Sequence, residues 1–77
     1  MSKRELRLTV PDMTSDHCAG IISSAIGNVG GVQDINTDIV TNRVRVVYVP
    51  EETDVQRIRQ VVEGAGYQVA SVQEPTL

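Results

Sequence analysis

The stretch Asp12-Met-Thr-Ser-Asp-His-Cys18 puts the chain's only cysteine and only histidine side by side, behind a methionine and a serine. Cysteine, methionine and histidine are ligands for soft or borderline metal ions, so the first chemistry to consider is metal capture. Sulfur sites for such ions normally use two thiolates, and this chain has one. Ser15 lies three residues before Cys18, a spacing at which two side chains across a loop and a first helical turn can converge. A serine hydroxyl is a hard, neutral oxygen that does not ionise at cellular pH, so it is a poor ligand for a soft ion. It is well suited to capping a helix, where its oxygen accepts a hydrogen bond from a free end amide.

The remaining candidates each have a chemical and a structural reading. Cys18 starts an apolar stripe with Ile21 and Ile22, so it is either a small buried hydrophobe or a thiolate at a helix start. His17 is next to Cys18, but adjacent helical side chains diverge by about 100°. Joint chelation by the two therefore requires the first turn to deform. Asp12 and Asp16 make the rim acidic, which suits a helix N-terminus and a basic partner surface alike.

Three kinds of segment must position this loop. Before it, Glu5-Leu-Arg-Leu-Thr-Val10 alternates with a period of two, predicting a half-buried strand that Pro11 closes. After it, Cys18, Ile21, Ile22, Ala25, Ile26 and Val29 recur at helical spacing, and Gly30-Gly31 is the expected stop. Val32–Thr37 and Arg43–Val49 read as a β-hairpin joined by Asp38–Asn42, with Val44, Val46 and Tyr48 on one face. Thr53-Asp-Val-Gln56 is a capping-box pattern opening a second helix, with Val55, Ile58, Val61, Val62 and Ala65 inward. Residues 67–72 alternate again as a last strand. The order β-α-β-β-α-β predicts an α+β, ferredoxin-like sandwich: a four-stranded antiparallel sheet with two helices on one face. Residues 1–3 read as an N-terminal tail, 4–70 as a single domain and 71–77 as a polar C-terminal tail.

With 77 residues and one cysteine, the chain must be stabilised by aliphatic packing and not by an internal disulfide. Seven basic and ten acidic side chains give a formal charge of −3, against a general nucleic-acid binder. Tyr48 and Tyr67 are the only aromatics, too few to stack single-stranded bases. No apolar run reaches the roughly 18 residues of a membrane span. The free thiol and the polar N-terminus point to the cytoplasm. No base is spaced to partner Cys18 as a nucleophile, so an enzyme is not expected.

Met13-Thr-Ser-Asp-His-Cys18, followed by Ala19-Gly20, Ala25, Gly31-Val32, Asp38, Val44-Arg-Val46, Tyr48, Pro50 and Gly66-Tyr67, resembles the heavy-metal-associated domain of bacterial copper chaperones and copper-pumping ATPases. Members carry a Met-x-Cys-x-x-Cys loop, and in this chain Ser15 stands at the first cysteine's place. The resemblance implies Cu(I) as the metal, with Zn(II) or another soft ion such as Hg(II) as alternatives. It places the site at Cys18, Ser15 and His17, with Met13 packed beneath the loop and Tyr67 beside it. A half-buried strand position explains Tyr67 equally well. The implied partner is a metal-transporting ATPase or another metal-handling protein, and a homodimer could form through a shared metal or through Cys18. A protein-interaction or regulatory domain that keeps this fold without metal is the alternative.

Overall fold

A computed structural model describes residues 3–74. Their order is β1 (Arg4–Thr9), α1 (Asp16–Gly27), β2 (Val32–Asp38), β3 (Arg43–Tyr48), α2 (Val55–Gly64) and β4 (Ser71–Gln73). The strands form one antiparallel sheet in the order β2-β3-β1-β4. This is the ferredoxin-like arrangement expected from the sequence.

The strand alternation translates directly into the core. Leu6 pairs with Val46 and Leu8 with Val44 across β1 and β3, and all four are fully buried. Val10, Met13, Ile22, Ile26, Ile58 and Val62 complete the interior. The helix-free sheet face is polar. Arg7 and Arg45 lie directly opposite one another there, and Glu5 bridges them at 3.2 and 2.6 Å. Both arginines hold the Glu5 carboxyl below its usual range, the Arg45 hydrogen bond contributing most. Such exposed pairs add little stability, but this one relieves a like-charge cross-strand contact.

Four local expectations shift. The first helix ends at Gly27, three residues before the glycine pair, with Asn28 as C-cap. Tighter bonds follow (Val29 N–H to the Ile26 carbonyl at 3.0 Å, Val32 N–H to the Val29 carbonyl at 3.3 Å) and turn Val29 into the core. Gly31 then takes φ 100°. A Cβ there would also come within 2.7 Å of the Glu52 Cβ, so that position requires glycine twice over. The buried line of α1 is Ala19, Ile22 and Ile26, whereas Ile21 is 37% exposed. At 100° per residue, seating Ile22 and Ile26 on the sheet turns Ile21 outward.

The cap of α2 is Asp54, whose carboxylate accepts the Arg57 amide at 2.8 Å. Thr53 is held by a turn in which its own amide donates to the Val49 carbonyl at 3.1 Å. Its methyl faces Gly31, and its buried hydroxyl has no partner among the described residues. Asp54 is the first residue free to cap, and its charge favours a helix start. In α2, Ile58 and Val62 are fully buried, while Val55, Val61 and Ala65 are half-buried. Finally, the β4 ladder covers Ser71–Gln73 and not 67–72, inside the stretch read as tail. Tyr67 and Val69 still pack on the core, which explains the earlier alternation. Pairing with β1 begins when the Ala70 amide reaches the Thr9 carbonyl at 2.8 Å. Glu74 accepts the Tyr48 hydroxyl at 2.9 Å and clasps this end. The outer parts of the expected tails, residues 1–2 and 75–77, lie outside the described residues.

Candidate metal centre

The loop from Val10 to Ser15 is anchored before α1 begins. Met13 is fully buried, so its flexible thioether fills the core beneath the loop and does not face outward as a ligand. Its amide donates to the Val10 carbonyl at 3.1 Å. Its carbonyl accepts the Asn42 side-chain amide at 2.8 Å. Asn42 was not singled out from the sequence. An asparagine closing a tight hairpin signals a left-handed residue, and φ here is 58°. Its reach across 29 positions to Met13 has no sequence signal.

Ser15 has extended backbone angles (φ −143°, ψ 163°) and caps α1, accepting the Cys18 amide at 3.3 Å. The same oxygen lies 3.4 Å from the Cys18 sulfur, toward which its hydroxyl donates. One hydroxyl can accept and donate at once, so the two bonds are compatible. Residues 15 and 18 therefore face the same small volume at the mouth of the helix.

Cys18 is half-buried. Its thiol is held below the usual thiol range, chiefly by the Ser15 hydroxyl and then by that of Tyr67, with the Thr14 and Ser15 backbone helping and burial opposing. Hydrogen bonds to the charged form favour it. The Tyr67 hydroxyl is correspondingly pushed up by its bond to Cys18, then by burial and by the nearby Cys18 and Asp12 charges. His17 is exposed and lines an outward groove with Gly20, Ile21, Ser24 and Asn28. Among the described residues, no three His, Cys, Asp or Glu side chains gather around one point. The site as built is one thiol with the Ser15 hydroxyl against its sulfur.

Removing the Ser15 hydroxyl should therefore raise the thiol pKa. With Ser15→Ala, Cys18 alkylation at neutral pH should slow, with its pH midpoint moving upward. Loss of the cap should also lower stability by about 1 kcal/mol. The linkage has a definite sign. A thiol lowered by folding stabilises the native state fully above its unfolded value, and that contribution is lost as pH falls through the folded value. An alkylation midpoint unmoved by Ser15→Ala would contradict the bond.

This loop, at the junction of β1 and α1 in a ferredoxin-like sandwich, matches the family described as heavy-metal-associated domain over residues 7–68. The chain belongs to that family. One relative is the copper chaperone CopZ of Staphylococcus haemolyticus, 32% identical over 62 residues, covering 80% of this chain and 91% of that protein. Another is the probable copper-transporting ATPase HMA5 of Arabidopsis thaliana, 33% identical over 61 residues. The match covers 79% of this chain but only 6% of that ATPase. Among solved structures, oxidised MerP of Ralstonia metallidurans superposes with a TM-score of 0.87 at 29% identity, covering 94% of this chain and 99% of MerP. A CopZ metallochaperone gives 0.82 at 28% identity, covering 90% and 100%. None of the helices among the described residues is long and apolar enough to cross a membrane.

Proposed function

We propose that this heavy-metal-associated domain is a small cytoplasmic metal-transfer module for Cu(I), built on one protein sulfur, Cys18. The observation that carries this reading is a half-buried thiol at a helix start, held below its ordinary pKa by hydroxyl donors. Soft thiolate prefers Cu(I), with Zn(II) as a weaker alternative. Ser15 stands where the family's first cysteine would be, and its role is to hold the Cys18 thiolate, not to donate a lone pair to copper. His17 reaches an ion on Cys18 only if the first turn of α1 opens, so its contribution is minor.

A single sulfur binds Cu(I) weakly, so the remaining coordination comes from outside the chain. A partner thiolate, or Cys18 of a second copy, completes the site, and copper passes onward by ligand exchange. The copper-transporting ATPase relatives make a metal-transporting ATPase the partner of choice, and the likeness to the copper chaperone CopZ supports a carrier role. Nothing in this role requires catalysis by the chain itself.

The test is an anaerobic Cu(I) competition titration of the native chain beside Cys18→Ala, with molecular mass followed throughout. Weak binding that disappears with Cys18, or copper shared by two chains, is the expected result. Tight one-to-one binding that survives Cys18→Ala would overturn the proposal, and no Cys18-dependent binding at all would favour a metal-free interaction domain.

A further inference from the structure

We propose that Asn42 is a positioning residue for the metal loop, a strap by which the β2–β3 hairpin sets where residues 13–15 lie. This rests on the metal-binding reading above for its consequence, but not for its geometry. Asn42 makes two long-range bonds to the loop. Its carbonyl accepts the Val10 amide at 2.8 Å, and its side-chain amide donates to the Met13 carbonyl at 2.8 Å. Those contacts bracket the turn through Pro11 and Asp12. With the Met13 side chain fixed in the core, residue 13 is held from inside by packing and from outside by the strap. Only Thr14 separates it from Ser15, whose oxygen meets the Cys18 sulfur.

The hairpin is shaped to present Asn42. The Asp38 carboxylate accepts the Val40 and Thr41 amides at 3.0 and 3.4 Å, forming a tight turn that delivers Asn42 at φ 58°. Asparagine is among the few side chains that tolerate that backbone. Glycine and aspartate tolerate it too, but glycine has no side chain and a carboxylate cannot donate to a carbonyl. Those two substitutions keep the turn and its backbone bond to Val10 and remove the side-chain bond to Met13, which separates the roles.

The experiment uses Ser15→Cys as parent, so that Cu(I) binding is strong enough to resolve a loss. Asn42→Gly and Asn42→Asp are added separately. Cu(I) affinity is read by competition, and backbone hydrogen exchange is read at residues 13–15 and in β1 and β3 as reference. Partners one layer behind metal ligands typically matter by about 10–100-fold in affinity. The expected result is a fall in that range for both variants, larger for Asn42→Asp because its charge faces the Met13 carbonyl. Exchange at 13–15 should quicken while β1 and β3 stay protected. Unchanged loop exchange, or loosening shared equally by β1 and β3, would overturn the strap. If the Ser15→Cys parent binds no copper, the metal reading fails, and the exchange comparison alone decides the strap.

Discussion

Replacing Ser15 by cysteine should convert a weak site into a strong one, raising Cu(I) affinity by more than about 100-fold. The bound follows from scale. Disturbing a group that merely orients a metal ligand already changes affinity by about 10–100-fold, and a second soft thiolate adds a ligand outright. The backbone is ready for it. The Ser15 oxygen already lies 3.4 Å from the Cys18 sulfur, so a sulfur on the same carbon enters the same volume. A thiol placed at a helix start is also favoured to ionise, which should help a cysteine at residue 15. Stability should move the other way, because losing the serine cap removes about 1 kcal/mol without metal. The variant should therefore be less stable than the native chain when metal-free and more stable with Cu(I), since a ligand that binds only the folded state stabilises it by mass action.

The second large effect is on the fold. Met13→Ala should destabilise the domain by about 2–5 kcal/mol, the range for truncating a fully buried large aliphatic or thioether side chain. Small domains hold about 5–15 kcal/mol in total, and each kcal/mol shifts the melting temperature of a domain this size by about 4–8 °C. A drop of at least about 8 °C is expected. Met13 is fully buried beneath the loop, so the loss should extend to the site, with faster exchange at residues 13–15. Thermal denaturation followed by circular dichroism checks the first part. A shift below about 3 °C would mean that the loop collapses onto the vacancy and that Met13 is not its plug.

The alternation in β1 and β3 was legible because a period of two has one physical meaning when one sheet face is buried. Leu6 and Leu8 share one face of β1, Val44 and Val46 share one face of β3, and all four are fully buried. Element order then dictated the sandwich. What escaped were choices settled by tertiary contact. Thr53 and Asp54 are both good caps, and the close approach of the Thr53 turn to Gly31 decided between them. Ile21 and Ile22 are equally apolar, and the docking angle of α1 exposed one and buried the other.

The candidate site divides in the same way. Ser15 as a cap near Cys18 follows from local spacing. The influence of Tyr67 on the Cys18 thiol spans 49 positions, and only the family resemblance points to it. The bond from Asn42 to Met13 depends on a hairpin folding against a loop that precedes it by 29 residues. Neither composition nor periodicity encodes that meeting.

The most direct measurement is a Cu(I) competition titration around a double-mutant cycle: the native chain, Ser15→Cys, Cys18→Ala, and the two changes combined. If side chains 15 and 18 share one volume and only sulfur holds copper there, Ser15→Cys alone should bind tightly. The native and doubly changed chains, each with one thiol, should be comparably weak, and Cys18→Ala should not bind. Tight binding by Cys18→Ala, or a gain from Ser15→Cys that is independent of Cys18, would contradict a metal site at the mouth of α1.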